Sequence, residues 1–279
     1  TRETRFEALG DAPGFIAVSQ GRNGGGHALA VTTRPAAGSP IARRVQQGRD
    51  VIGGRLEPGE PATVDRFAAI AAARTRAPSP DVARRALRRA EELGYDELLA
   101  RHSAAWIQRW RDADLVVDGD HEAQRALRFS IFHLISTGHP TNERVSIGAR
   151  GLGGLSYFLH VFWDTEVFVL PFFVYSHPQT ARTLLAYRYH NLDGAREKAR
   201  LFGHRGALFP WESADKGVEV TPPYGFGPDG EIVPILSGLM EHHISADVAW
   251  AVWQYWKGTA DDDFMATMGV ELLLETARF

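Results

Sequence analysis

Cysteine is absent from the 279 residues of this chain. Disulfide bonds, thiolate metal sites and cysteine nucleophiles are therefore excluded, and a reducing compartment such as the cytoplasm is favoured. Long apolar runs are also absent, because residues 161–175 are interrupted by Asp164 and Glu166. This run falls short of the roughly 20 apolar residues that a membrane span requires. We therefore expect no membrane-spanning helix and no membrane partner.

The sequence also lacks a strong excess of either positive or negative residues. The formal net charge is -3, and the basic residues form no cluster larger than the two arginine pairs at 84–85 and 88–89. These pairs are typical of a solvated helix face, so nucleic acid is not expected as a partner. The chain begins at Thr1 without a recognisable signal peptide.

Several catalytic motifs do not occur. The sequence contains neither the GxSxG of serine hydrolases nor the GxxxxGK[ST] of nucleotide-binding loops. Glu241, His242 and His243 raise the question of a metal site, but adjacent histidines do not share a helix face and no HExxH spacing is present. We predict no metal and no organic cofactor.

Short alternating or apolar runs dominate the first 76 residues. The runs at 14–18, 28–32 and 64–72 predict β-strands, and glycine- and proline-rich turns separate them. The segment RAPSP at residues 76–80 breaks regular structure, and helical periodicity begins after it. A domain boundary is therefore predicted at about 76–80.

From residue 81 onward the pattern predicts a mainly helical region. In the first helix, Leu98, His102, Trp106 and Trp110 recur at i, i+4 spacing, which predicts a buried stripe with a structural histidine. A short strand is predicted at 115–117, followed by a turn in which Asp120 begins the next helix. The predicted helices are 81–111, 121–137, 164–176, 179–202, 245–258 and 262–278.

Two long loops, at 138–163 and 203–244, contain much of the polar and aromatic chemistry. They and the adjacent helix starts include the motifs GARGL, HVFWDTE, FPWESAD and EHHISAD. Indole rings stack on the C–H faces of sugars, while carboxylates and guanidinium groups bind hydroxyls, so these motifs favour a carbohydrate site. Two residues have a structural alternative: Asp164 and Ser245 each fit the N-cap of the helix that follows, with Asp247 in a first turn.

Long stretches of the sequence resemble glycoside hydrolase family 65, which contains inverting phosphorylases of maltose, trehalose, kojibiose and nigerose together with some hydrolases. The resemblance extends from about Leu56 through most of the chain. The motifs that carry it are RALRFSIFHLIS, VSIGARGL, HVFWDTEVFVLPFF, LLAYRYHNLDGAREKA, GALFPWESA, GEIVPIL, EHHISADVAWAVWQYW and LLLETARF.

This resemblance implies an architecture. Residues 1–78 are expected to be the end of an N-terminal β-sandwich, 79–120 a helical linker, and 121–279 the first part of an (α/α)6 barrel. The expected fold is thus mainly α with an N-terminal β part. The chain resembles a segment of such an enzyme, and by itself we expect it to be inactive and poorly soluble, because an incomplete barrel exposes apolar helix faces.

The resemblance also implies roles for individual residues. Trp163 and Asp164 match the tryptophan–aspartate pair that binds the non-reducing-end glucose of the substrate. The expected supporting residues of the pocket are Arg150, His160, Trp211, Glu212 and His243. No catalytic residue is assigned, since the family's general acid is expected beyond Phe279. Asp164 and Glu166 lie too close on one helical turn to flank a scissile bond as an acid and base pair.

Three functions remain open on the sequence alone. The first is an α-glucoside phosphorylase, which uses inorganic phosphate as a co-substrate and an α-linked glucose disaccharide as its partner. The second is a hydrolase of the same family, and the third is a non-catalytic sugar-binding remnant. Related enzymes are often dimers, so a homodimer is compatible with the resemblance.

Overall fold

Antiparallel strands form the first part of the chain in the computed structural model, which describes residues 3–8, 15–20, 26–46, 49–73, 79–154 and 156–279. Four strands form one sheet in the order β1-β2-β3-β6, and β4 and β5 form a separate hairpin. The strands are β1 Glu3–Ala8, β2 Phe15–Gln20, β3 Gly26–Pro35, β4 Ala42–Gln46, β5 Arg49–Gly53 and β6 Val64–Ala73. The three predicted strands fall on β2, β3 and β6, whereas β1, β4 and β5 were not predicted.

The sheet presents small side chains to a helix. Alternate residues of β3 and β6, namely Ala28, Ala30, Phe67 and Ala69, are buried together with Ala83 and Leu87 of helix α1 (Pro80–Arg111). Because successive side chains of a strand point to opposite faces, these alternate positions make one apolar face. Three alanines on that face allow the helix to approach closely.

Helix α1 is not continuous. Gly94 has φ 75° and ψ 171°, which breaks the helix between its two halves. The predicted buried stripe is wrong at His102, which is exposed and contacts the ring of Trp106 at a centroid distance of 6.2 Å. The apolar cluster around Ala83 and Leu87 extends past Gly94 to the partly buried Leu98, and the exposed His102 lies beyond it.

The start of helix α2 (His121–Thr137) confirms the predicted cap. The side chain of Asp120 accepts hydrogen bonds from the backbone N–H groups of Glu122 and Ala123 at 3.0 and 2.9 Å. The strand predicted at 115–117 is wrong. Its place is taken by an extended loop that pairs with the Gln124 side chain, which accepts from Val117 N–H at 2.7 Å and donates to the Leu115 carbonyl at 2.9 Å.

By contacts, the chain divides into two units, residues 1–107 and 108–279. The core of the second unit lies between α3 (Leu170–Ser176), α4 (Pro178–His190), α7 (Ile244–Thr259) and α9 (Val270–Arg278). The other elements of this unit are α5 Leu192–Leu201, β7 Tyr224–Phe226, β8 Ile232–Pro234, α6 Ser237–Met240, α8 Asp262–Phe264, and π-helical turns at Thr165–Val169 and Met265–Gly269. The predicted domain limits, the β-sandwich and the first part of an (α/α)6 barrel stay predictions.

The single helix predicted at 179–202 is wrong, because α4 and α5 are separated at Asn191. The backbone of a loop at Gly217 lies close to this break. A Cβ atom on Gly194 would lie 2.5 Å from the carbonyl carbon and oxygen of Gly217, so a loop crosses directly over the start of α5.

Among the described residues, no helix is long and apolar enough to span a membrane.

This crossing predicts the effect of Gly194→Ala. Alanine favours a helix over glycine by about 1 kcal/mol, yet here we expect a net loss of about 1–3 kcal/mol, because the added methyl group must displace the Gly217 backbone. Chemical denaturation measures the change. Gly53→Ala is the control, since an added Cβ there meets nothing within 4 Å. Unchanged or increased stability of Gly194→Ala would contradict the close approach.

Candidate functional site

Two distant segments of the second unit are joined at a short backbone ladder. Val161 N–H donates to the Ser213 carbonyl at 2.9 Å, and Ser213 N–H donates back to Val161 at 3.0 Å. The GARGL segment joins them, because Ala149 N–H donates to the His160 carbonyl at 3.3 Å and the Thr165 hydroxyl donates to the Ile147 carbonyl at 2.9 Å. Three of the four sequence motifs are therefore adjacent.

A buried ion pair lies beneath this junction. Arg188 of α4 donates from Nε and Nη2 to the two carboxylate oxygens of Glu166 at 2.7 and 2.6 Å. Arg188 Nη2 also donates to the Phe162 carbonyl at 3.1 Å. The side chains of Arg188 and Glu166 are 1% and 0% exposed. Such a bidentate pair satisfies both charges and fixes the geometry of the two segments that it connects.

The electrostatics of Arg188 follow from this pairing. Burial by itself lowers the pKa of the Arg188 guanidinium, but the charge of Glu166 and its hydrogen bonds more than offset the desolvation. The net result is a raised pKa, so Arg188 stays charged. Both carboxylate oxygens of Glu166 bind Arg188, and Glu166 does not line the pocket described next.

Asp164 does not act as a helix cap, so that alternative is wrong. Its backbone already has helical angles, φ -52° and ψ -35°, and its side chain makes no capping hydrogen bond. The first turn is instead closed through the Trp163 carbonyl, which accepts from Glu166 N–H at 3.0 Å and from Val167 N–H at 3.1 Å. The carboxylate of Asp164 is half-buried and lines a pocket.

This pocket has a volume of about 620 Å³, a size typical of small-molecule sites. Five of the seven predicted site residues line it: Arg150, Trp163, Asp164, Trp211 and Glu212. It thus combines two indole rings, two carboxylates and one guanidinium group. Aromatic faces next to carboxylate acceptors and guanidinium donors can bind a polyhydroxylated ring.

The other two predicted residues, His160 and His243, lie behind the wall of the pocket. His160 Nδ1 is 2.8 Å from an oxygen of Glu212, which is 6% exposed. The His243 ring lies edge-on to Trp163 at 4.9 Å and its Nδ1 is 2.6 Å from Asp247. Both histidines therefore contact residues that line the pocket without lining it themselves.

Ser245 is inside α7 and does not cap it, contrary to the N-cap alternative. Its hydroxyl donates to the Ala207 carbonyl at 2.9 Å and accepts from Phe209 N–H at 3.0 Å. The helix begins one residue earlier, so Ser245 instead fixes the backbone that leads into Trp211. Asp247 lies in the first turn, as predicted.

Two aromatic residues of the pocket were not predicted. Tyr157 and Phe158 line it and are 54% and 72% exposed. With Leu159 they adopt the left-handed conformation at φ 57°, 53° and 62°. This region costs a non-glycine residue roughly 1–2 kcal/mol, so no pattern of side chains predicts three such residues in succession.

Glu219 and Lys198 are a second unpredicted pair. Lys198 Nζ of α5 donates to Glu219 at 2.5 Å, and the same carboxylate accepts from the backbone N–H groups of Trp211 and Glu212 at 2.9 and 3.2 Å. Burial raises the pKa of Glu219, but the hydrogen bonds from Lys198 and Thr221 outweigh it, so the pKa is lowered. Glu219 is ionised at neutral pH.

No cluster of three or more histidine, aspartate or glutamate side chains could hold a metal ion in the part of the chain that the structure describes. Glu241 and His243 are 3.7 Å apart, and His242 instead lies 2.9 Å from the Leu239 carbonyl. The two adjacent histidines of EHHISAD therefore contact different groups and do not form a common site.

Comparison with protein families assigns both parts of the chain. Residues 128–279 match the glycosyl hydrolase family 65 central catalytic domain, which is more than half of the chain, and residues 8–109 match the N-terminal domain of the same family. The chain belongs to glycosyl hydrolase family 65. The resemblance of its motifs to this family is thereby confirmed.

Curated relatives in family 65 include phosphorylases and a hydrolase. A kojibiose phosphorylase of Caldanaerobacter subterraneus subsp. tengcongensis is 55% identical over 67% of this chain and 24% of its own length. A kojibiose hydrolase of Flavobacterium johnsoniae is 41% identical over 67% of this chain and 26% of its own length. An alpha,alpha-trehalose phosphorylase of Geobacillus stearothermophilus is 43% identical over 61% of this chain and 20% of its own length. The chain therefore spans about a quarter of the length of these enzymes.

A solved structure supports the fold. It is of a candidate kojibiose phosphorylase from the human microbiome and superposes with a TM-score of 0.79 at 22% identity, covering 99% of this chain and 36% of that one. At this identity the similarity concerns the fold alone. The β part followed by a helical part is consistent with the N-terminal and central domains of family 65.

The buried pair predicts a stability change. Arg188→Met leaves the Glu166 carboxylate without its partner and should lower the free energy of unfolding by about 3–5 kcal/mol. The double variant Arg188→Met/Glu166→Leu should recover much of this loss, since it removes both charges. Denaturant titration measures both values.

Arg128→Met is the control, because the ion pair of Arg128 with Asp114 is at the surface and should contribute far less. A loss in Arg188→Met no larger than in this control would show that the buried pair does not stabilise the site.

Proposed function

We propose that the pocket binds the non-reducing-end glucose of an α-linked glucose disaccharide, in an inverting phosphorylase that forms β-glucose 1-phosphate. The observation that carries this proposal is the convergence of Trp163, Asp164, Trp211, Glu212 and Arg150 on one pocket. The phosphorylases named among the relatives support the reaction class.

Each group has a role that its chemistry supports. The Trp163 indole stacks on a C–H face of the glucose ring, and the Asp164 carboxylate accepts hydrogen bonds from its hydroxyls. Glu212, held by His160, and Arg150 bind hydroxyls from other sides. His243 keeps the Trp163 ring in place from behind through its edge contact.

The proposed reaction is a displacement at the anomeric carbon. A general acid gives its proton to the glycosidic oxygen while a phosphate oxygen attacks from the opposite face, so one C–O bond breaks and one forms with inversion. Phosphate replaces the water and general base of an inverting hydrolase, and the second sugar leaves with a free hydroxyl. We assign the acid to no residue of this chain and give its residues binding and positioning roles.

Hydrolysis is the second candidate function. The observation that favours it is the 41% identity with a relative named kojibiose hydrolase. A hydrolase would use the same glucose pocket, because the two reactions differ in the nucleophile and not in the sugar unit that they cleave.

The two reactions are distinguished by their dependence on phosphate. We expect the full-length gene product to release β-glucose 1-phosphate from a disaccharide only when phosphate is present. Kojibiose is the first substrate to test, because a kojibiose phosphorylase is 55% identical over 186 residues. Trehalose and maltose test the other linkages, with products resolved by chromatography. Glucose release at an equal rate without phosphate would contradict phosphorolysis and support the hydrolase.

Substitutions at the glucose pocket test its assignment. Trp163→Ala should weaken sugar binding in the full-length gene product by about 1–3 kcal/mol, because the stacking surface is lost. Asp164→Asn keeps the size of the side chain and removes the charge-assisted hydrogen bonds, so a comparable loss is expected. Calorimetric titration with the disaccharide measures both affinities.

Trp253→Ala is the matched control for Trp163→Ala. Trp253 is 46% exposed on α7 and does not line the pocket, so its removal should leave the affinity unchanged. Wild-type affinity in both Trp163→Ala and Asp164→Asn would show that glucose binds elsewhere.

A further inference from the structure

Glu219 connects three segments of the second unit through a single carboxylate. Its Oε2 accepts from Lys198 Nζ at 2.5 Å and from Trp211 N–H at 2.9 Å. Its Oε1 accepts from Glu212 N–H at 3.2 Å, and from the N–H and hydroxyl of Thr221 at 3.2 and 2.6 Å. Every group that it contacts is a donor, which suits an ionised carboxylate and no neutral side chain of that size.

The ion pair is largely buried. The side chains of Lys198 and Glu219 are 4% and 23% exposed, so the ammonium group is buried and the carboxylate is largely enclosed. A buried ammonium without a partner is costly, and so is a buried N–H without an acceptor. Lys198 therefore fixes Glu219, and Glu219 in turn fixes the two backbone N–H groups.

These N–H groups belong to the wall of the pocket. Trp211 and Glu212 line it, whereas Glu219 and Lys198 do not. The wall segment is held on one edge by the backbone ladder from Ser213 to Val161 and on the other by Glu219 and by Val220 N–H, which donates to the Glu212 carbonyl at 3.0 Å. Removing the Glu219 carboxylate leaves this second edge held by the Val220 hydrogen bond and deprives the Trp211 and Glu212 N–H groups of their acceptor.

We propose that Glu219, anchored by Lys198, is a positioning residue that sets the place of Trp211 and Glu212 against the bound glucose. This rests on the proposed glucose-binding function of the pocket. Glu219 does not line the pocket, so it acts on the wall through the backbone N–H groups of Trp211 and Glu212. Misplacement of binding groups by about 1 Å is enough to lose a large factor in activity.

The test is Glu219→Gln in the full-length gene product, with kojibiose and glucose as probes in calorimetric titration. The glutamine amide has one acceptor oxygen and one NH2 group, so the donors that bind one of the two Glu219 oxygens would face an NH2 group instead of an acceptor. The substitution also removes the negative charge that pairs with Lys198. We expect affinity to fall about tenfold or more for both sugars. Glu275→Gln is the control, because Glu275 is another largely buried carboxylate, is bound by Arg196 of the same helix α5, and lies outside the pocket.

A double variant separates positioning from stability. Lys198→Met removes the unpaired ammonium, so Glu219→Gln/Lys198→Met should regain much of the stability lost in Glu219→Gln. The backbone N–H groups of the wall still lack their carboxylate, so the affinity should remain low. Recovery of affinity together with stability would overturn the positioning role and show that Glu219 is merely structural.

A spectroscopic measurement keeps this test independent of the sugar. The fluorescence of Trp211, obtained as the difference between each protein and its Trp211→Phe counterpart, should change in Glu219→Gln and stay unchanged in Glu275→Gln. If the wild-type protein binds neither sugar, the proposed function fails, and the Trp211 signal still decides whether Glu219 positions the wall. An unchanged Trp211 signal in Glu219→Gln would overturn the proposal.

Discussion

The bidentate pair between Arg188 and Glu166 is the interaction on which the pocket depends. Both side chains are almost fully buried, and each is too costly to bury without the other. Glu166 belongs to the π-helical turn that follows Trp163 and Asp164, and Arg188 also binds the carbonyl of Phe162. The pair therefore holds both ends of the segment from Phe162 to Glu166, which contains Trp163 and Asp164, against α4. Without it, the backbone ladder between Val161 and Ser213 would still join this segment to the loop that contains Trp211, but the segment would lose its ionic contact with α4.

Other charged groups extend this arrangement outward. His160 lies behind Glu212, and Lys198 with Glu219 lies behind the backbone of the same loop. Most side chains that line the pocket are thus carried by loops. Arg188 of α4 and Lys198 of α5 supply the ionic pairs behind them, and His160 and Glu212 form a further pair between two loops. Such supporting contacts are what hold a binding group in its productive geometry. Loops supported in this way would suit the proposed binding of a sugar ring.

Much of the helical part followed from local signals in the sequence. The apolar period located α2 and α7, and Asp120 marked the start of α2 because its cap needs no distant partner. Errors arose where a distant contact decided the structure. The Gln124 side chain binds the backbone of residues 115–117, where a strand was predicted, and the Gly217 backbone lies against the helix that was expected to continue through Asn191. Neither contact has a signature within the window of residues that predicts an element.

In the candidate site too, some features were predicted from the sequence and others depend on distant contacts. The resemblance of the motifs to family 65 supplied all seven predicted residues, and five of them line one pocket. Asp164 and Ser245 each fitted a cap by sequence, but the backbone placed one in the pocket wall and the other inside a helix. The left-handed turn at Tyr157 and the role of Glu219 depend on tertiary packing, which residue types alone do not encode.

A crystal structure of the full-length gene product with bound kojibiose tests the central claim most directly. We predict that the non-reducing-end glucose occupies the pocket, with a C–H face against the Trp163 indole and hydroxyls about 2.5–3 Å from the Asp164 carboxylate. Glu166 should remain bound to Arg188 and make no contact with the sugar. A glucose ring bound outside the pocket, or a sugar that contacts neither Trp163 nor Asp164, would contradict the account.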